Sequence, residues 1–347
     1  MAKIKKKAFK IVSITFLTLV IIVLALGWYV KSTVFKPLEL NKTAYIYITP
    51  NTNYKEVTAQ IKELVDLPSE RIFELISERM NYPNGIKSGR YAISNGMTVP
   101  ELIRMLRAGN QTPTQITFNN MRTKEDLAGR ISEQLMIDSL SFLAALNDSN
   151  KIASLGFDSA TVATMFIPNT YEVYWNTSVE KLIDRMHSEY NRFWNEDRKA
   201  KAKKIGLSPI EVSTLASIVE EEATYADEYP IVAGLYLNRL KRGQRLEADP
   251  TVKFALKEFG LRRILYKHLE VESPYNTYQN EGLPPGPIRI PSIKAIDATL
   301  SPAKHNYLYM VAKDDLSGRH SFSTTHAEHI RKARKYQQAL NERKIYR

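Results

Sequence analysis

Three consecutive glutamates, Glu220, Glu221 and Glu222, are the residues of this sequence best suited to acid/base chemistry. A glutamate that is partly buried against apolar residues keeps its proton to higher pH, because burial disfavours the charged form. Such a carboxyl can act as a general acid near neutral pH and, after losing its proton, as a general base. The sequence therefore offers an acid/base group if one of these glutamates faces a cleft.

The element that would position these glutamates is a helix predicted to begin at Ser208. A serine N-cap, a proline in the first turn and Glu211 three residues after the serine are typical of a helix start. The apolar spacing buries one face, so Glu221 points away from it while Glu220 and Glu222 lie on its two edges. Periodicity does not choose between the two edge positions. A solvated helix end is the alternative interpretation of all three.

Residues 11–30 form an uncharged apolar stretch that ends near Trp28 and Tyr29. Its length matches what a helix needs to cross a membrane, and amphipathic aromatic rings favour the membrane interface. A cleaved signal peptide would have a shorter apolar region followed by small residues. We therefore predict a transmembrane helix over residues 11–30 and a basic cytoplasmic tail over residues 1–10.

Lysines on either side of this span predict its orientation. Five precede it and two follow closely, namely Lys3, Lys5, Lys6, Lys7 and Lys10, then Lys31 and Lys36. Positive charge stays on the cytoplasmic side, so we expect a single-pass protein of the cytoplasmic (inner) membrane with its amino terminus inside. The remaining chain then lies on the outer, periplasmic side. A bacterial domain on that side meets the cell wall rather than ATP, NADH or chromosome, which makes peptidoglycan a natural substrate class.

The formal charge of +12 includes those five amino-terminal lysines, so we interpret the excess mainly as a topology signal. A basic surface can bind polyanions without regard to sequence, and a polyanion-binding protein is the weakest alternative; we predict no nucleic-acid partner. The absence of cysteine excludes disulfides, thiolate nucleophiles and Cys-ligated metals.

Three of the six histidines cluster near the carboxyl terminus, but their spacing does not predict a metal site. His326 and His329 are three residues apart on a helix predicted to begin at Thr325, and no third ligand has zinc spacing. We expect no metal and no cofactor. His320 and Phe322 lie on a predicted strand and are candidates for the wall of a cleft.

Two folded modules are predicted after the span. Residues 41–112 combine short strands with helices that carry clear start and end signals, such as Thr98 and Gly109. Residues 115–340 begin with a strand near Gln115. The predicted fold class is α+β, with an N-terminal transmembrane helix, a small α/β module and a larger mixed α+β domain.

Several motifs also have ordinary structural interpretations. Arg239 falls near the end of a predicted helix, where it would neutralise the helix dipole. Asp249 could simply begin a helix, and residues 282–287 could form only a rigid turn. The aromatic segment 166–175 could stack on sugar rings or form an aromatic corner of the core.

Six motifs, in order, resemble the endolytic murein transglycosylase (MltG, YceG-like) family. They are Leu215–Glu222 (LASIVEEE), Val232–Leu240 (VAGLYLNRL), Leu246–Val252 (LEADPTV), Tyr275–Tyr278 (YNTY), Gly282–Ile288 (GLPPGPI) and Tyr307–Tyr309 (YLY). Each motif is weak by itself, whereas six in this order are specific. The resemblance extends more loosely to the span and to the 41–112 module, which in that family is LysM-like.

The resemblance implies which residues form the site. The family's acid is the first glutamate of its I-V-E-x-E stretch, which corresponds to Glu220 and leaves Glu222 as the second candidate. The family's Phe-Pro-Asp-Thr-Tyr turn has asparagine at position 169 here, so no acidic role is expected there. The implied substrate-binding residues are Glu222, Asn238, Arg239, Asp249, Thr251, Tyr275, Asn276, Thr277, Tyr278, Pro285, Thr170 and Tyr171, and His320 joins them as a candidate from its predicted strand.

The activity implied by the resemblance is lytic transglycosylation of peptidoglycan. It would cut within nascent glycan strands and so limit their length beside the membrane's peptidoglycan synthases. One glutamate can serve twice, first protonating the glycosidic oxygen and then accepting the C6 hydroxyl proton of the same N-acetylmuramic acid, which closes a 1,6-anhydro ring. Polar groups of residues 276–277 and Glu222 would meet the charge on the sugar, oriented by Asn238, Arg239 and Asp249.

Two other functions stay open from the sequence. A muramidase would hydrolyse the same bond with water and would need a second carboxylate. A membrane-anchored scaffold would bind the wall without cutting it.

Overall fold

The structure, a computed structural model, describes residues 2–261 and 263–343. Contacts divide the chain into two compact units, Met1–Gln115 with Glu172–Thr177, and Ile116–Tyr171 with Ser178–Arg347. Helices dominate, and the strands pair in small two-stranded sheets. The predicted α+β class is confirmed.

The amino-terminal helix α1 (Ala2–Thr33) contains a stretch, Phe9–Thr33, that is long and apolar enough to cross a membrane. None of that stretch is buried within the protein, and large side chains such as Leu17 and Leu24 are exposed. Exposed apolar surface of this kind is unfavourable in water. The helix therefore has the length and composition of the predicted span.

In the first unit, β1 (Ala44–Ile48) pairs antiparallel with β2 (Gly89–Ile93). The alternating side chains of β1 bury Ile46 and Ile48 in the core of this unit. Besides α1, the described part of this unit contains the helices α2 (Tyr54–Leu64), α3 (Glu70–Arg79) and α4 (Val99–Ala108).

The predicted boundaries of α4 are confirmed. Thr98 is the N-cap at its start, where the Thr98 backbone N–H and hydroxyl both donate to Oε2 of Glu101 at 2.8 Å. Gly109 ends it in the left-handed conformation at φ +76°, which favours glycine.

The remaining elements follow in chain order. Strand β3 (Thr114–Phe118) pairs with β4 (Asn169–Val173), and β5 (Tyr309–Ala312) pairs antiparallel with β6 (His320–Ser323). The helices are α5 (Lys124–Ser132), α6 (Ser139–Asn147), α7 (Ser149–Ser154), a 3-10 helix (Val162–Met165), α8 (Val179–Phe193), α9 (Glu196–Ile205), α10 (Pro209–Glu222), α11 (Tyr229–Lys241), α12 (Asp249–Leu256), α13 (Tyr266–Leu269), α14 (Ile293–Leu300) and α15 (His326–Glu342).

Helix α10 is the centre of the second unit, where it packs against α9, α11, α12 and α14. The sequence predicted one buried face, but Val212–Val219 is buried all round. The polar face tolerates burial because Ser213, Thr214 and Ser217 donate their hydroxyl protons to backbone oxygens of the preceding turn. Both ends of the helix are less buried than this middle part, and its last turn carries the three glutamates.

Candidate active site

The last turn of α10 sends its glutamates into different surroundings. The predicted capping box of Ser208 and Glu211 fixes the start of the helix, and Ala223 ends it in an extended conformation. Because successive residues turn by about 100°, Glu220 and Glu222 point in clearly different directions. Each is partly buried, but among different neighbours.

Glu222 lies on the wall of a cavity of about 250 Å³ in the second unit. Four other predicted site residues share this wall, namely Arg239, Asp249, Tyr278 and His320. Tyr236 and Glu247 also line the cavity, together with residues 310–312 of β5. The structure thus brings Glu222 and four of the implied substrate-binding residues around one cavity.

The surroundings of the Glu222 carboxyl raise its pKa. Burial raises its pKa to about 7, and the nearby charge of Asp249 acts in the same direction. The Tyr236 hydroxyl donates to Oε1 of Glu222 at 2.9 Å, which acts to lower that pKa. Burial and the Glu222 charge also hold the pKa of Tyr236 well above its usual value, so Tyr236 is a donor at neutral pH. A carboxyl with a pKa near 7 can both give and take a proton.

Asp249, at the start of α12, is held by the other tyrosine of the cavity. The Tyr278 hydroxyl donates to Oδ1 of Asp249 at 2.6 Å. Thr251 and Thr277 are buried behind this pair, with their hydroxyl oxygens 2.8 Å apart. The Thr277 hydroxyl oxygen also accepts from the backbone N–H of Ala248 at 3.0 Å. The two threonines therefore fix the turn that presents Asp249.

Arg239 is 8% exposed and is mostly used to organise the loops around the cavity. Its Nε donates to the backbone oxygen of Leu308 at 2.6 Å, and its Nη1 to that of Leu246 at 2.9 Å. Asn238 does not line this cavity; its amide donates to the backbone oxygen of His305 at 2.8 Å. Both side chains tie α11 to neighbouring loops.

His320 begins β6 and forms part of the cavity wall. Its backbone N–H donates to Oε1 of Glu228 at 2.9 Å, and its ring Nδ1 lies 3.1 Å from Oε2 of the same carboxylate. Glu228 is 5% exposed. The imidazole is therefore held from behind by a buried carboxylate.

Glu220 belongs to a separate cluster of charges. Its Oε2 accepts from the backbone N–H of Ser292 at 2.8 Å, at the start of α14, and lies 3.6 Å from Nε of Arg289. Arg289 also contacts Glu221 at 2.7 Å, and Arg122 binds both oxygens of Glu221 at 2.9 and 3.0 Å. Two arginines thus face two glutamates, and Glu220 is not on the wall of the Glu222 cavity.

The other implied site residues do not line this cavity. Asn276 and Tyr171 are buried, and their side chains donate to backbone oxygens of their own loops. The ring of Tyr275 packs on a phenylalanine ring, with centroids 4.7 Å apart. Pro285 and Thr170 are exposed. The burial of Tyr171 agrees with an aromatic corner of the core.

The sequence did not identify several residues around these two sites, among them Tyr236, Glu228 and Arg289. Tyr236 had a usable signal, because it lies three residues before Arg239 and so shares a face of α11 with it. Glu228 and Arg289 meet partners distant in the chain, and no local pattern indicates such pairs.

Metal ligands do not assemble within residues 2–261 and 263–343, where no three His, Asp or Glu side chains are grouped to hold an ion. His326 and His329 instead pack around the ring of Tyr309, with centroids 5.7 and 5.5 Å away. These contacts agree with a structural role for the two histidines.

Comparisons with known proteins extend over most of the chain. The endolytic murein transglycosylase of Bacillus subtilis (strain 168) is 30% identical over 333 residues, 91% of each chain. That of Streptococcus pneumoniae serotype 2 (strain D39 / NCTC 7466) is 25% identical over 359 residues, which cover 94% of this chain and 64% of the relative. A crystal structure of a YceG-like protein from Listeria monocytogenes has a TM-score of 0.57 at 26% identity, covering 84% of this chain and 99% of that one.

The family model described as YceG-like matches residues 46–335. That range includes both glutamate clusters and every residue of the Glu222 cavity. The chain belongs to the YceG-like family.

Proposed function

We propose that this protein is a lytic transglycosylase that cleaves the MurNAc-GlcNAc β-1,4 bond within peptidoglycan strands, with Glu222 as its acid/base. The observation that carries the proposal is the Glu222 cavity, in which a half-buried carboxyl with a pKa of about 7 adjoins Asp249 and His320. Two relatives that align with nearly the whole chain are named endolytic murein transglycosylase. The name and the cavity support the same chemistry independently.

The surroundings of the two edge glutamates favour Glu222 over Glu220. The Glu220 carboxylate is engaged by the backbone N–H of Ser292 and by Arg289. Glu222 has one oxygen bonded to Tyr236 and lies on a cavity that can admit a ligand group. A general acid must reach the atom that it protonates. We therefore assign the acid to Glu222 and a supporting role to Glu220.

The reaction needs one proton donor that later becomes an acceptor. Protonated Glu222 donates to the glycosidic oxygen, which leaves with N-acetylglucosamine as the C1–O bond breaks. The C6 hydroxyl of the same N-acetylmuramic acid then bonds to C1, and the Glu222 carboxylate takes its proton. Glu222 ends protonated, no water is consumed, and the strand ends in 1,6-anhydro-MurNAc.

The other cavity groups would stabilise and orient the substrate. Asp249 supplies a negative charge suited to the positive charge that develops at C1. Tyr236 and Tyr278 hold the carboxyl groups of Glu222 and Asp249 in place. Fixed groups of this kind lower the barrier because they need not reorganise during the reaction.

Asp249 also supports a second candidate, a muramidase. Two carboxyl groups on one cavity are the usual arrangement of enzymes that hydrolyse glycosides with water. The products separate the two reactions, since hydrolysis leaves reducing MurNAc ends and transglycosylation leaves anhydro ends.

The experiment is digestion of purified glycan strands by the full-length protein in detergent, followed by mass spectrometry. We expect 1,6-anhydro-MurNAc ends from the wild type and none from Glu222→Gln. Reducing ends without anhydro ends would support the muramidase. Binding without cleavage by a folded wild-type protein would support a non-catalytic scaffold and overturn the proposal.

We further propose that α1 anchors the protein in the cytoplasmic (inner) membrane, with the rest of the chain on the periplasmic side and residues 41–112 acting as a LysM-like wall-binding module. In that position the enzyme would cut nascent strands beside peptidoglycan synthases. The apolar stretch Phe9–Thr33 and the lysines before it support the orientation. A reporter that is active only in the periplasm, fused to the carboxyl terminus, tests this orientation. An inactive reporter on a stably produced fusion would contradict it.

A further inference from the structure

Glu228 is a buried carboxyl group that the proposed reaction does not use. It occupies the N-cap position of α11, with 5% of its surface exposed. Its side chain does not cap that helix. A buried carboxylate is costly unless its oxygens are hydrogen-bonded. Both carboxyl oxygens of Glu228 are hydrogen-bonded to one residue, His320, and these bonds offset that cost.

The two contacts determine which ring nitrogen carries the proton. An ionised carboxylate only accepts hydrogen bonds, so the Nδ1 that lies 3.1 Å from it must carry hydrogen. The second contact, from the His320 backbone N–H at 2.9 Å, fixes the base of the side chain. In the neutral ring, Nε2 is then the acceptor. Within residues 2–261 and 263–343, this Nε2 has no hydrogen-bond partner.

The position of His320 places its ring at the cavity where we propose that the substrate binds. His320 and Glu222 line the same cavity. Peptidoglycan sugars carry hydroxyl and acetamido N–H donors, and an acceptor fixed on the wall would orient one of them relative to the acid. A residue that aims a histidine in this way acts through the histidine.

We propose that Glu228 is a positioning residue for the transglycosylase reaction: it holds His320 as the Nδ1–H tautomer so that Nε2 accepts a hydrogen bond from a sugar donor in the Glu222 cavity. The identity of the substrate in this inference rests on the proposed function. The tautomer of His320 rests only on the contacts between His320 and Glu228. The substrate class is the N-acetylated glycan itself.

The first test reads the tautomer and needs no activity. Full-length protein with ¹⁵N-labelled histidine has only six histidines, so the ring nitrogens can be followed by two-bond ¹H–¹⁵N correlation and His320 assigned by its loss in His320→Gln. We expect Nδ1–H in the wild type. In Glu228→Gln the amide group can donate to Nδ1, so we expect a shift to Nε2–H. Wild-type His320 as the Nε2–H tautomer would overturn the proposal even if no variant folds.

The matched control lies next to both residues. Asp227 forms an exposed ion pair with Arg319 at 2.9 Å, one residue before Glu228 and one before His320. Asp227→Asn removes a neighbouring charge without touching the imidazole contact. We expect its spectrum and its cleavage rate to match the wild type.

The second test is a double-mutant cycle on glycan cleavage. Glu228→Gln should lower kcat/KM by roughly ten- to hundred-fold, by analogy with metal-ligating histidines that lose the group orienting them. If Glu228 acts through His320, the double variant loses no more activity than His320→Gln alone. Additive losses would mean a purely structural role for Glu228. An inactive wild type would instead overturn the proposed function, while the tautomer would still report on the pair.

Discussion

Glu220 and Glu222 are two residues apart on one helix end, yet they belong to different chemical environments. Glu220 and Glu221 face two arginines and a helix start, where every charge has an opposite partner nearby. Glu222 faces a cavity with Asp249 and has one tyrosine hydroxyl as its hydrogen-bond partner. A nearby opposite charge favours the ionised form of a carboxyl, whereas burial beside a like charge favours the protonated form.

This contrast suggests how one helix serves two purposes. The Glu220 cluster joins the end of α10 to Arg122, Arg289 and α14, and so fixes the direction in which the last turn leaves the core. The same contacts therefore also fix the direction of Glu222, which lies on that turn. Precise positioning of an acid requires a rigid support of this kind.

The largest expected effect is on activity and separates the two glutamates directly. Glu222→Gln should lower kcat for glycan cleavage by about 10³-fold, because an amide cannot act as general acid or base. Glu220→Gln should lower it by less than about tenfold, since Gln keeps an acceptor for the Ser292 N–H. Quantification of anhydro ends on folded variants measures both; the reverse order would return the acid to Glu220.

The second effect is on stability at alkaline pH. The folded state raises the pKa of Glu222 from 4.5 to about 7. The corresponding stability is therefore fully present below pH 4.5 and is lost as the pH rises through 7, where a buried charge must form. Removing this carboxyl with Glu222→Gln should raise the free energy of unfolding at pH 8.5 by up to ~3 kcal/mol, at about 1.4 kcal/mol per pKa unit, and by almost nothing at pH 4.

Thermal unfolding of detergent-solubilised protein across that pH range measures this gain. Glu220→Gln is the comparison, because it weakens contacts with Arg289 and should not stabilise the fold at any pH. Parallel pH curves for wild type and Glu222→Gln would mean that the Glu222 pKa is not raised by folding.

The third effect concerns the paired cluster. Arg289→Met should lower the free energy of unfolding by roughly 2 kcal/mol. This is less than the ~3–5 kcal/mol lost when a fully buried ion pair is broken, because Arg122 still binds Glu221. The exposed pair of Lys199 and Glu196 is the control, and Lys199→Met should cost less than ~0.5 kcal/mol. Equal losses in both variants, measured by chemical unfolding, would show that burial does not strengthen the cluster.

Local features of this protein were predictable from the sequence because they depend on neighbouring residues. The helix starts at Thr98, Ser208 and Thr325 and the helix end at Gly109 are all confirmed. Each is decided within about one helical turn. The apolar stretch of α1 is predictable for the same reason.

The surroundings of the site depend on residues far apart in the chain, and there the sequence was insufficient. Helix phase placed Glu220 and Glu222 on two edges but did not show that Arg289 would meet one and Tyr236 the other. Motif membership likewise grouped Asn276 with Tyr278, although only Tyr278 lines the cavity. Three-dimensional packing decides which residue of a motif faces a ligand and which supports the loop.

The smallest expected effect, a shift in pH dependence, tests the tuning of Glu222 by two opposing neighbours. The Tyr236 hydroxyl lowers the Glu222 pKa and the Asp249 charge raises it. Tyr236→Phe should therefore move the alkaline limb of kcat/KM to higher pH, because Glu222 keeps its proton longer, and Asp249→Asn should move it to lower pH. Arg289→Met should leave the limb in place, since that cluster does not contact Glu222. Shifts of the same sign in Tyr236→Phe and Asp249→Asn would mean that the alkaline limb reports a group other than Glu222. The proposed chemical difference between Glu220 and Glu222 would then be unsupported.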